Sequence, residues 1–412
     1  MTGHWLIAAL VTTMAVAACD SFTLPREETR AVRTTIVEDV SATRSRDEQP
    51  AGAPRPGDSQ VLRFSVAGWQ TDFTRHSIPL DEITPGGPPR DGIPPLDNPR
   101  FESVTEADQW LHPLQPVVLI EIDENARAYP TQILNRHEIV NDDIGGTPIV
   151  VTFCPLCNTA IAFERRLGER VLDFGTTGNL RLSNLIMWDR QTESWWQQIT
   201  GEAIVGELTG QRLSMIPALV ISWSEFRSRF PSGQVLSRET GFPFGYAHNG
   251  YLGYDRLETP PFISGPQLDR RLSPLERVAT VSQAGENVAY PFSLLRERGV
   301  VADTVGGEPI VIFYQPGTLS AHDEPNFVLM GDVGATAVFR ADVLGRRLAF
   351  EWRDGAFVDA ETGSRWSLLG RAIEGPLAGH RLAPVTHGTH FWFAWSAFKE
   401  TTRIYGEKDG KP

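Results

Sequence analysis

The stretch Pro148-Ile149-Val150-Val151-Thr152-Phe153-Cys154-Pro155-Leu156-Cys157 decides how this chain is read. Ile149 to Phe153 is a short apolar run rich in β-branched residues, which predicts a buried strand. It runs straight into a Cys-x-x-Cys turn. A constant offset lays Pro148-Ile149-Val150 on Pro309-Ile310-Val311, Ala128-Tyr129-Pro130 on Ala289-Tyr290-Pro291, and Gly145-Gly146 on Gly306-Gly307. Further along the offset widens but the order holds. Asp189 to Trp196 matches Asp359 to Trp366, and Gly201, Gly206, Leu208, Gly210 and Leu213 match Gly370, Gly375, Leu377, Gly379 and Leu382. Trp223 and Phe226 match Trp392 and Trp395. So many ordered matches predict an internal duplication, with copies over about 117–230 and 278–399.

Other strand-like runs lie at Val117–Ile122, Ala160–Phe163, Val171–Phe174, Leu185–Trp188 and Ala203–Leu208, bounded by Gly, Asn-Asp or charged turns. Two short helices are expected: Pro130–Asn135, with the proline at a first helical position, and Trp223–Phe230, ended before Pro231. No alternation of strand and helix suggests a doubly wound sheet. The expected fold is mainly β, a β-rich α+β body of two related halves with short helices. The expected organisation is 1–18 a signal peptide, 19–60 a tether, 61–260 the first half, and 261–406 a second copy without the cysteines.

The chain has 412 residues, 3 cysteines and a formal net charge of −13. Three cysteines are too few for a disulfide scaffold. The acidic balance and the absence of a Lys/Arg block argue against nucleic acid as a partner. Trp5 to Ala18 is one apolar run, too short for a membrane span at about 20 residues and suited to a signal peptide. It ends in Val16-Ala17-Ala18-Cys19, which resembles the bacterial lipoprotein processing box. That resemblance implies cleavage before Cys19 and acylation of its thiol. The protein would then sit in the cell envelope or periplasm and partner a membrane through the lipid anchor alone. The n-region Met1-Thr2-Gly3-His4 carries no Lys or Arg, unlike most such signals. The following segment to Gln60 is mostly polar and reads as a flexible tether.

Cys154 and Cys157 therefore form the remaining dithiol. In the second copy the aligned positions are Gln315, Pro316, Gly317 and Thr318, so the turn survives without its sulfurs. His137 aligns with Arg298, Glu138 with Gly299 and Asn141 with Ala302, whereas Asp142 keeps its acid as Asp303. This pattern points to one chemically active half. In a thiol redox reading, Cys154 is the nucleophile, Cys157 resolves it, and His137 with Glu138 or Asp142 tunes the thiolate. Such a site, akin to a thiol–disulfide oxidoreductase, would work with a redox partner protein in the envelope. The alternative is a copper or zinc protein in which Cys154 and Cys157 bind metal with His137 or Met187, and His248 as a further ligand. The third reading is a β-rich binding module without catalysis. His387 and His390 form a lone His-x-x-His, a weak signal. No Gly-x-Ser-x-Gly, P-loop, His-Glu-x-x-His or dinucleotide fingerprint occurs.

Several stretches together resemble the bacterial proteins grouped as the domain of unknown function DUF3179. They are Arg90-Asp91-Gly92-Ile93-Pro94, Arg127-Ala128-Tyr129-Pro130, His137-Glu138-Ile139-Val140-Asn141-Asp142, the Cys-Pro-Leu-Cys turn and Ser183-Asn184-Leu185-Ile186-Met187-Trp188-Asp189-Arg190. Trp196 with Gln197 or Gln198, and Gly201 to Gly210, complete the set. The resemblance implies an exported, often lipid-anchored protein without an established activity. It also implies a reactive chalcogen in the Cys-Pro-Leu-Cys motif, since some relatives are regarded as selenoproteins. The sequence departs from the pattern at Thr177-Gly178 and Trp188, where Ser-Gly and Tyr are expected.

Overall fold

A computed structural model describes residues 62–262, 268–324, 328–329 and 331–407. The chain is mainly β with few short helices. In the first half, strand Pro116–Ile122 pairs antiparallel with Asn125–Pro130 and with Ala218–Ser222, and Gln234–Leu236 joins Asn125–Pro130 in parallel. A second sheet runs Thr159–Glu164, Thr147–Cys154, Ile139–Ile144, with Leu96–Asp97 at one edge. A third runs Phe174–Arg181, Asn184–Asp189, Trp195–Gln197, Glu202–Val205.

The second half repeats this order. Arg277–Gln283 pairs with Glu286–Pro291 and His387–Phe391, and Arg403–Ile404 adds in parallel. The register recurs at matched residues: Val117 faces Pro130 as Val278 faces Pro291, and Ile139 faces Thr152 as Val300 faces Phe313. Side-chain detail recurs too. Trp196 Nε1 donates to Asp189 at 2.9 Å, and Trp366 Nε1 donates to Asp359 at 3.0 Å. Gly201 and Gly370 both sit at φ +67, and a Cβ on either would lie 2.6 Å from a phenylalanine ring, Phe163 or Phe339. That distance is below any tolerated carbon contact, so each glycine is required where a turn crosses the face of a core ring.

The halves interlock. One core gathers Val117, Leu119, Trp223 and Phe226 with Phe313, Phe339, Phe357 and Trp366 of the second half. Another gathers Cys154, Cys157, Phe163, Met187 and Trp196 with Leu275, Phe391 and Phe393. Each such side chain contributes about 1.5–3 kcal/mol on full burial, so neither half can close its core alone without losing several of them.

Most strand expectations hold within a residue or two. The exceptions have local causes. Val171–Phe174 is split between the short strand Arg170–Val171 and the start of Phe174–Arg181, and Ala203–Leu208 ends at Val205 because Gly206 turns the chain at φ +102. Pro130 is not the first helical residue; it is the last of its strand at ψ 128, and the helix is Thr131–His137.

Candidate functional site

The strand Thr147–Cys154 delivers Cys154 to its end, and Pro155 starts a single 3-10 turn, Pro155–Cys157. Proline suits that first position because it has no N–H to leave unsatisfied. Asn158, left-handed at φ 49, stops the turn and reverses the chain into Thr159–Glu164. Both thiols are free and buried, Cys154 at 2% and Cys157 at 0% exposure. Both face the carbonyl of Ser183, Cys157 at 3.3 Å and Cys154 at 3.9 Å. Leu182 and Ser183 reach this position by adopting φ 50 and 65, a two-residue turn of a kind that usually takes Gly or Asn. The Asn184 amide donates to Cys157 Sγ at 3.6 Å and to Gln198 at 2.8 Å, and Gln198 ties on to Thr152 and the Thr159 carbonyl.

The two thiols are made unequal. Burial pushes the Cys154 thiol up, but hydrogen bonds from the Cys157 thiol and from the backbone N–H groups of Leu185, Cys157 and Leu156 outweigh it. Cys154 therefore lies below the ordinary thiol range. Burial pushes Cys157 well up, and the neighbouring Cys154 charge adds to that. This is the order expected of an attacking thiolate and a resolving thiol.

Glu138 completes the centre. It caps the helix Thr131–His137 in the left-handed region at φ 57, donating its N–H to the Leu134 carbonyl and accepting from Phe153 N–H. The second half builds the same turn with Gly299 at φ 67, with the same two bonds to Leu295 and Tyr314. A left-handed glutamate costs about 1–2 kcal/mol that a glycine avoids. Its carboxyl is buried, carries no hydrogen bond among the described residues, and is pushed well up by burial and then by the Cys154 charge. The carboxyl and the Cys154 thiol thus compete for one negative charge.

The remaining expected residues are placed elsewhere. His137 is buried, and both ring nitrogens are taken, by Pro94 O and Tyr246 OH at 2.7 Å each. Its ring packs against Phe242, Phe244 and Tyr246, and burial lowers its pKa. Neither nitrogen is available to tune a thiol or bind a metal. Asp142 pairs with Arg127 and accepts from Tyr129 OH, a strand-to-strand tie that recurs as Asp303 with Arg403 and Tyr290. Met187 lies fully buried in the core cluster of both cysteines. His248 is a surface residue with an 82% exposed side chain. Cys19 lies outside the described residues.

A family model described as a protein of unknown function, DUF3179, matches residues 90–402. The chain belongs to the DUF3179 family. No curated protein and no solved structure matches it. The matched span covers both halves of this DUF3179 chain, and the second half does contribute to the thiol centre. His322 donates from Nε2 to Pro155 O at 2.8 Å, inside the Cys-Pro-Leu-Cys turn. Asp255 anchors His322 Nδ1 at 3.6 Å and also binds Arg277 and Ser320. Burial alone would raise the Asp255 carboxyl, but these partners hold it well below the usual range. Tyr254 packs against His322 and against the core cluster of both cysteines. Burial raises the Tyr251 and Tyr254 phenols well above 10, and the Glu138 and Cys154 charges raise Tyr251 further. None of these residues was legible in the sequence. His322 follows the strand that replaces the cysteine-bearing one, in a stretch without a first-half counterpart.

Chemically the DUF3179 site can store and release two electrons as a dithiol. Among the described residues there is no group of three or more His, Cys, Asp or Glu side chains that could hold a metal. Of the expected metal ligands, His137 is committed to Pro94 and Tyr246, whereas Met187 shares the core cluster of the two cysteines.

Proposed function

We propose that this protein is a dithiol redox protein of the cell envelope in which Cys154 attacks, Cys157 resolves and Glu138 supplies the proton. The observation that carries this reading is the pair of free, buried thiols that one 3-10 turn sets against the Ser183 carbonyl, beside a left-handed Glu138. The lipoprotein-like segment ending at Cys19 supports an anchored, envelope location. Among the described residues no helix is long and apolar enough to cross a membrane.

Burial narrows the oxidant. Exchange with a protein disulfide needs an incoming sulfur in line with the attacking one, and Cys154 is only 2% exposed. A protein redox partner would require the side chains that bury Cys154 to move aside. A small hydroperoxide needs a far smaller opening. The Cys154 thiolate attacks the distal oxygen, the O–O bond breaks, and the leaving alkoxide or hydroxide takes the Glu138 proton. Cys154 becomes a sulfenic acid. The Cys157 thiol condenses with it, water leaves, and a disulfide forms. A thiol-class reductant restores the dithiol.

The test is mass spectrometry of the full-length protein and of Cys157→Ser after stoichiometric hydrogen peroxide. Wild type is expected to lose two hydrogens and form one disulfide. The Cys157→Ser protein is expected to stop at a Cys154 sulfenic acid trapped by dimedone. Thiols that stay reduced in both proteins at peroxide excess refute the proposal.

A further inference from the structure

The interlocked halves meet along two equivalent seams, and these differ in a way that points to a ligand. In the first seam Leu119 faces Leu219 across paired strands, and Arg381 and the half-buried Arg371 both pair with Glu121. Its cavity is about 60 Å³. In the second seam the residues at the matching strand positions are Thr280, facing Gly388, and Ser282 in place of Glu121. Arg212 stands where Arg381 stands in the first. The filling leucine and the carboxylate at the Glu121 position are gone, Glu202 stands where Arg371 stands and pairs with Arg212, and the cavity is about 240 Å³.

What lines the larger cavity is suited to a charged guest. Lys399 lines it, half-buried and without an ion pair among the described residues. Burial and then the nearby Arg212 charge lower its pKa, and the Glu202 carboxylate only partly offsets them. Arg212 has only Glu202, at 2.7 Å. Ile161, Leu213 and Ile216 give the cavity apolar walls, and His390, 2% exposed, also lines it. Its Nδ1 meets the Thr159 hydroxyl at 2.8 Å, and that hydroxyl donates its own proton to Cys157 O at 3.1 Å. The hydroxyl can then only accept from His390, so Nδ1 carries the hydrogen and Nε2 is a bare acceptor. Burial, with the His387 charge, pushes His390 down to about 3 and keeps it neutral. Nε2 has no hydrogen-bond partner among the described residues. Gly388 leaves it room, since a Cβ there would lie 2.2 Å from Nε2. This glycine has no positive φ, so space is what it supplies.

We propose that this cavity binds a small hydroxycarboxylic acid, its carboxylate taking the place that Glu121 fills in the other seam and pairing with Lys399 and Arg212, and its hydroxyl donating to Nε2 of His390. At about 240 Å³ the space suits a small molecule. The acid would bind beside the backbone of Cys157 without touching either thiol.

The test is isothermal titration of the full-length protein with three pairs of acids: lactate against propionate, malate against succinate, and citrate against tricarballylate. At least one hydroxy acid is expected to bind tenfold or more tightly than its deoxy partner. Lys399→Gln, a half-buried position, is expected to weaken that binding at least tenfold. Equal binding within every pair, no binding of any acid at 10 mM, or undiminished binding by the folded Lys399→Gln protein each overturns the proposal. The thiol chemistry is read separately by peroxide oxidation, so either result leaves the other interpretable.

Discussion

Replacing Glu138 by glycine should make the protein more stable and less able to do its chemistry. The residue sits at φ 57, whereas the second half uses Gly299 at φ 67 for the same turn, with the same bonds on either side. Removing the left-handed strain gains about 1–2 kcal/mol, and the extra freedom of an unfolded glycine takes back roughly 0.5–1 kcal/mol. A net gain of about 1 kcal/mol follows from the backbone alone. The carboxyl adds a pH-dependent part. Its folded pKa lies well above its unfolded one because burial and the Cys154 charge oppose ionisation. The folded state therefore binds the proton more tightly, and wild-type stability falls as pH rises above about 4.3, until the folded pKa is reached. Glu138→Gly escapes that loss, so its advantage should be smallest at pH 4.5 and larger at pH 8. The slope is bounded by about 1.4 kcal/mol per pH unit. Urea unfolding of full-length wild-type and Glu138→Gly proteins at pH 4.5, 6 and 8 measures it. In parallel, peroxide oxidation of Cys154 at pH 7 should slow by at least tenfold, the size of a missing proton donor. A variant that is less stable than wild type at pH 8, or whose advantage shrinks as pH rises, would show that the carboxyl is a structural tie and refute the reasoning.

Two further outcomes separate framework from chemistry. Asp142→Asn leaves Arg127 and Tyr129 without their carboxylate and should cost about 3 kcal/mol, read by urea unfolding, while the alkylation rate of Cys154 stays within twofold. Gly201→Ala forces a methyl to 2.6 Å from the Phe163 ring at a positive φ, so its thermal midpoint should fall by several degrees.

Much of the framework could be read directly. Runs such as Val117–Ile122 and Ile149–Phe153 are β-branched and apolar, and they form strands because only a sheet buries both their faces. Cys-Pro-Leu-Cys was legible as a pair because three residues of a turn cannot separate two sulfurs. His137 misled for an identifiable reason. Its neighbours Asn135, Glu138 and Asp142 made a polar cluster in one dimension, but the helix end turns Glu138 toward Cys154 while His137 points to Pro94 and Tyr246. Sequence proximity does not say which side of a capped helix a side chain leaves from.

The sequence by itself therefore determined the β-rich character, the recurrence of one strand pattern in two halves, the single dithiol and its family. These are local matters of periodicity, turn chemistry and residue type. Only the tertiary structure decided that each core is shared between halves, that His322 of the second half, held by Asp255 of the connecting segment, braces the thiol turn, and that one seam is filled by Leu219 while the other stays open at Gly388. The reason is that these contacts join residues far apart along the chain, and long-range packing leaves no periodic trace in it.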